Sequence, residues 1–147
     1  MMRPLFLAGC LALAALPVGA VEPEAIVVRE GGIPASLTGA SGDAARGRAL
    51  VVDRRKGLCL LCHSGPFPDV PFQGDLAPSL AGVGTRFDTA ALRLRLVDSA
   101  RITPDSLMPA YYRRAGLARV APAYAGATLL SAADIEDVVA FLATLRD

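Results

Sequence analysis

The 147-residue chain has no tryptophan, one histidine and three cysteines, and aromatic residues make up 5% of it. Each scarcity excludes something. With His63 as the only histidine, a bis-histidine metal or haem site is ruled out, and so is a second site of the same kind. Lys56 is the only lysine, and the formal net charge is +1. That balance argues against a nucleic-acid partner and against long-range steering by net charge. No apolar run is long enough, with the right flanks, to span a bilayer. No internal repeat or low-complexity segment is present. With so few aromatics, a large flat cofactor would add substantially to the core.

What is there begins with a leader. Residues 1–20 read as a secretory signal: Arg3 supplies the positive start, Leu5 to Leu16 the apolar stretch, and Val18-Gly19-Ala20 a small-residue cleavage site. Leu7-Ala8-Gly9-Cys10 also resembles a bacterial lipoprotein box, which would place a lipid on Cys10. Only a few apolar residues precede Cys10 and the run continues past it, so cleavage after Ala20 is the preferred expectation. An exported chain would work in the periplasm, an oxidising compartment. Without the leader, Cys59 and Cys62 are the only cysteines, Met108 is the only methionine, and acidic and basic residues balance. The remainder is sized for one domain.

The chemistry is concentrated in Cys59-Leu60-Leu61-Cys62-His63, a C-x-x-C-H motif that matches the attachment signature of a c-type haem. On a helix these three residues sit at i, i+3 and i+4 and face one way. Two thiols can then bond the two vinyl groups of one haem while the imidazole reaches the iron from the same side. A thioredoxin-like redox pair would need a βαβ pattern, which is absent. A zinc site would need two further ligands, and no Cys or His remains to supply them. A structural disulfide beside an incidental histidine is the remaining alternative.

Residues 21–40 carry Pro23, Gly31, Gly32 and Pro34 and are expected to form an extended arm, with a short strand near Ile26-Val27-Val28. Such an arm is either a solvated tail or a partner contact. Residues 41–147 form the expected domain. A helix is predicted from Asp43 to Arg54, capped by Ser41 or Asp43, with Gly47 in its middle. Residues 65–74 are rich in Pro and Gly and read as loop. Another helix is predicted from Thr89 to Ala100, capped by Asp88, with Leu92, Leu96 and Val97 turned inward. Residues 101–130 hold three prolines and read as a long functional loop or one hiding short helical turns. The last helix follows Ser131-Ala132-Ala133-Asp134, a capping box with Asp in place of Glu. Ile135, Val138, Val139, Leu142 and Leu145 form its apolar stripe.

An iron held by His63 needs a ligand on its opposite face to be six-coordinate. Lys56 lies three residues before Cys59, so folding it to the far side is awkward. Tyr111, Tyr112 and Tyr124 are the available phenols. Met108 lies in a distant loop stiffened by Pro109, and it completes the Met/His pairing of electron-transfer haems. Its alternative role is that of a core gap-filler. Metal-bound imidazoles usually donate their other N–H to an acceptor. The Pro78 carbonyl is the candidate for His63, unless Pro78 is simply a turn residue.

These residues resemble the class I c-type cytochromes. Gly42–Gly47 is similar to the start of their first helix and Asp137–Leu142 to the core of their last. The resemblance implies an all-α class I cytochrome c-like fold around one covalently bound haem c. Its N- and C-terminal helices would cross at Gly47, Val51, Val138 and Phe141. A proline carbonyl on the proximal histidine is a family feature, carried by Pro78, although Ala77 stands where a glycine is usual. Four stretches are more specific: I-P-A-S-L-T-G (33–39), F-Q-G-D-L-A-P-S-L-A-G-V-G (72–84), L-R-L-R-L-V-D (92–98) and M-P-A-Y-Y-R (108–113). They resemble the SoxX family, the small mono-haem subunits of SoxAX cytochromes of bacterial sulfur oxidation. That resemblance implies a larger SoxA-type partner holding the catalytic cysteine. It also implies an L-cysteine S-thiosulfotransferase reaction that couples thiosulfate to a carrier-protein cysteine. This chain would collect the electrons and pass them to another cytochrome. A second function compatible with the motif is a free periplasmic electron carrier; a third, a haem-based sensor, is disfavoured because Met/His coordination leaves no site open for a gas. The arm and the Tyr111-Tyr112-Arg113-Arg114 run are the candidate partner surfaces. Alternatively, those tyrosines pack on the haem edge and the arginines pair with propionates or solvent.

Overall fold

The structure, a computed structural model, describes residues 19–147; Cys10 and all but the last two residues of the expected leader lie outside that range. Among the described residues four α-helices form: α1 (Ala44–Val52), α2 (Val83–Arg86), α3 (Thr89–Asp98) and α4 (Ala132–Leu142). Short 3₁₀ turns lie at Pro23–Ala25, Cys59–Leu61, Ser99–Arg101 and Pro122–Tyr124. The described residues contain no strand, only isolated bridges at Arg29–Gly32 and His63–Ala77. The all-α expectation holds, and the strand expected near Ile26 does not form.

The helix starts follow from local chemistry. Asp43 caps α1 by accepting from the Arg46 N–H at 2.9 Å, and Asp88 caps α3 by accepting from the Ala91 N–H at 2.8 Å. At α4, Ser131 and Asp134 form the reciprocal capping box. The ends differ from expectation. Helix α1 stops at Val52 because Asp53 turns out of the helical conformation, its carboxylate accepting the N–H groups of Arg55 and Lys56. Helix α3 tightens into 3₁₀ after Asp98, whose side chain accepts from Ala100 N–H.

Helices α1 and α4 cross at Gly47, where a Cβ would lie 1.9 Å from the Asp137 carbonyl oxygen. Only glycine lets the two backbones approach so closely. Val51, Ile135 and Val138 are fully buried beside the crossing, and Phe141 stacks obliquely on Phe67 with centroids 6.0 Å apart. Leu145 lies beyond the end of α4 but still packs on the core.

Two acidic residues of α4 are buried, which a pattern of apolar positions does not reveal. The Asp137 carboxylate accepts from Asp43 N–H at 2.6 Å and from Arg46 Nε at 2.7 Å, tying the start of α1 to α4. Glu136 forms a bidentate pair with buried Arg93 of α3, at 2.8 and 2.9 Å. This pair also gathers the arm. Glu136 accepts from Leu37 N–H at 2.9 Å, and Arg93 donates to the Ile33 carbonyl at 2.6 Å. Residues 21–40 are therefore docked on the domain, with Ile33 and Leu37 in the core.

The Arg46 hydrogen bonds hold the Asp137 carboxyl below the usual carboxylate range, against the opposing effect of burial. A depressed folded pKa contributes stability that is complete above the unfolded value, about 3.9, and is lost as pH falls through the folded one. Asp137→Asn should therefore lower stability at neutral pH and flatten its decline in acid. Thermal melts of both proteins from about pH 6 to about pH 2 check this; parallel curves would exclude Asp137 from the acid limb.

Candidate haem-attachment site

The segment joining α1 to the C-x-x-C-H motif is held at nearly every backbone N–H. The Asp53 carbonyl accepts from Gly57 and Leu58 at 3.1 and 3.0 Å. Leu58 adopts a left-handed conformation (φ 62°) and starts the turn. Cys59–Leu61 is a single 3₁₀ turn rather than part of a longer α-helix, and the N–H groups of Cys62 and His63 both bond the Cys59 carbonyl. Leu60 points into the core. Cys59, Cys62 and His63 thus stand on one turn, with both thiols free. Burial pushes the Cys59 thiol up to about 11, so it rests as S–H.

His63 Nδ1 lies 2.6 Å from the Pro78 carbonyl oxygen. A carbonyl only accepts, so Nδ1 carries a proton, and in the neutral ring the lone pair is on Nε2. The loop between these residues is built to keep that contact. Ala77 N–H bonds the Cys62 carbonyl at 2.9 Å, Leu80 N–H bonds that of Ser64 at 2.8 Å, and Gly74 N–H bonds that of Leu60 at 3.0 Å. At Gly74 a Cβ would lie 2.3 Å from the Leu61 carbonyl, so glycine is needed for this close approach.

Sequence reasoning gave no role to Gln73. Its amide accepts from Gly65 N–H at 2.7 Å and donates to the carbonyls of Phe67 and Val70 at 2.8 and 3.0 Å. It staples the Pro/Gly-rich loop that follows His63. The available signal was a lone amide inside a loop whose prolines have no N–H of their own to pair with its carbonyls.

Met108 comes from the other side of the sequence, in the loop after α3. Ser99 Oγ donates to the Met108 carbonyl at 3.1 Å, Met108 N–H donates to Ser106 Oγ at 3.2 Å, and the side chain packs half-buried on the core. Tyr111 links this loop to the cysteine turn, its hydroxyl donating to the Gly57 carbonyl at 2.6 Å. Burial raises the pKa of that phenol. Lys56 pairs with Asp134 at the start of α4, 2.9 Å away.

The rest of the 111–114 run is engaged within the chain. Tyr112 donates to the Val21 carbonyl at 2.8 Å, Arg113 pairs with Asp98 at 2.9 Å, and Arg114 bridges Glu22 and Glu24 at 2.7 and 2.6 Å. These residues hold the arm and the end of α3. Among the described residues no three His, Cys, Asp or Glu side chains are grouped to hold a metal ion. No described helix is long and apolar enough to cross a membrane. The donor set fits a c-type haem: two adjacent free thiols, an imidazole with one lone pair available, and a soft thioether on a separate pinned loop.

No protein-family model matches the chain, and no curated protein matches it. A solved structure does. One chain in the crystal structure of SoxXA from P. pantotrophus is 36% identical, with a TM-score of 0.82, and the match covers 88% of this chain and 100% of that one. Identity at that level over the whole of the relative carries more than the fold. The chain belongs to the SoxX family, with the all-α class I cytochrome c-like fold.

Proposed function

We propose that this protein is the single-haem, electron-transferring subunit of a SoxAX-type L-cysteine S-thiosulfotransferase complex, exported to the periplasm. In that reading Cys59 and Cys62 would hold a c-type haem as thioethers to its two vinyl groups, an attachment that is redox-neutral and needs no oxidant. His63 would offer Nε2 to the iron. Its ring is kept in one tautomer and orientation by the Pro78 carbonyl. Met108 would supply a thioether sulfur as a further ligand. A haem held by these residues would supply reversible one-electron chemistry. With both thiols alkylated the chain keeps no free cysteine to hold a sulfur intermediate, so the catalytic cysteine belongs to the SoxA-type partner. Electrons released there pass through this chain to a downstream cytochrome.

The observation that carries the reading is the His63 geometry: a histidine beside two free thiols, with one nitrogen fixed and the other left for a metal. Purification from the native host grown on thiosulfate should yield a stoichiometric second c-type cytochrome and a mass one haem above the processed chain. A lone haem protein would favour the free electron carrier. In the same preparation, Met108→Ala should keep the covalent haem while its midpoint potential falls by on the order of 0.1 V, within the ~0.8 V that axial ligands control. Unchanged absorption and potential would remove Met108 from the iron.

A further inference from the structure

Phe72 is 90% exposed, the most exposed of the large apolar side chains among the described residues, and its backbone is left-handed with φ 56°. A bulky residue rarely takes that conformation, and strained positions of this kind gather where the surroundings hold them for a purpose. Here the surroundings do hold it. Arg54 donates to the Pro71 carbonyl at 3.1 Å and to that of Phe72 itself. On the other side Gln73 is fixed by three hydrogen bonds, and Gly74 is pressed on the Leu61 carbonyl. A rigid loop therefore presents a phenyl ring to solvent at an energetic cost to itself. Two more exposed apolar side chains stand on the adjoining segments: Leu61 inside the C-x-x-C-H turn, 49% exposed, and Leu76, 69% exposed.

We infer that Phe72, with the exposed Leu61 and Leu76 of the adjoining segments, is the anchor by which this chain seats on the larger cytochrome subunit of its complex. The inference rests on the assembly proposed above. An aromatic ring held in advance in one position loses little freedom on binding, and buried aromatic anchors carry most of the energy of stable interfaces. The patch adjoins the cysteine turn, so a redox partner seated on it lies next to the proposed haem-attachment residues. A second copy of this chain would bring two identical redox sites together with no driving force between them. A lipid surface would want clustered basic residues, whereas this rim is of mixed charge: Asp69 is paired with Arg48, Asp75 is acidic, and Arg54 is engaged on the loop's own carbonyls.

The test uses haem-loaded wild type, Phe72→Ala and Phe72→Gly, each titrated against the purified haem-loaded larger subunit. Both variants should bind at least about 30-fold more weakly, as expected of an anchor residue. In the free variants the absorption spectrum and midpoint potential should match wild type. Because glycine suits a positive φ, Phe72→Gly should melt no lower than wild type while still binding poorly, which separates binding from folding. Wild type that fails to bind the larger subunit would defeat the assembly itself. Wild type that binds, with both variants binding equally well, would overturn only the role of Phe72. A shifted spectrum or potential in the free variants would place the ring against the haem and overturn the inference. So would loss of self-association with the larger subunit still bound normally.

Discussion

Glu136→Ala is expected to destabilise the protein by about 3–5 kcal/mol, the usual cost of leaving one member of a buried ion pair without its partner. Arg93 and Glu136 side chains are only 7% and 4% exposed, so water cannot replace the lost carboxylate. The loss also reaches the arm, because Leu37 N–H would be orphaned and the Arg93 guanidinium released from its position on Ile33. A paired replacement separates these effects. Arg93→Met with Glu136→Leu removes both charges together, which by itself is often neutral. The Leu37 N–H and the Ile33 carbonyl would remain unsatisfied, so the double variant should recover part of the loss and no more. Urea denaturation measures the stabilities, and amide exchange at Leu37 reports the arm. Full recovery in the double variant, with Leu37 still protected, would show that the pair does not hold the arm.

Gly47→Ala is expected to cost about 2–3 kcal/mol, although alanine is the better helix former by about 1 kcal/mol. Its Cβ would fall 1.9 Å from the Asp137 carbonyl oxygen, 2.5 Å from the carbonyl carbon and 2.8 Å from Phe141 Cβ. Two of those atoms are helix backbone and cannot rotate away, so α1 and α4 must separate. The cysteine turn hangs from the end of α1 through the Asp53 carbonyl, and Lys56 pairs across to α4. Separation should therefore lower the fraction of chains carrying covalent haem as well as the unfolding midpoint. The measurements are denaturant midpoint and haem-to-protein ratio. A midpoint at or above wild type would mean that the helices tolerate a methyl group and that the crossing is looser than its geometry implies.

The elements legible from sequence are those set by neighbours along the chain. The caps Asp43, Asp88 and Ser131 lie where short polar side chains precede apolar periodicity, and each bonds an N–H three residues on. The C-x-x-C-H spacing puts both thiols and the imidazole on one turn, whether that turn is α or 3₁₀. Helix ends were less legible, because Asp53 and Asp98 break the helices with side-chain hydrogen bonds that no periodicity records. The burial of Glu136, Asp137 and Arg93 was hidden for a different reason. Charged residues read as surface unless their partners are known, and those partners lie 43 to 99 residues away along the chain.

By itself the sequence determined the chemistry available to this protein: one imidazole, two cysteines at fixed spacing, one thioether within residues 21–147, and the helix starts around them. Those are local facts, decided by residue type and short-range geometry. The tertiary structure alone decided which carbonyl meets His63, that Gln73 staples the loop between them, and that residues 21–40 dock through Glu136. It also decided that the 111–114 run is taken up within the chain while Phe72 is left in solvent. Those outcomes depend on which distant groups satisfy buried hydrogen bonds, and that is settled only when the whole chain packs.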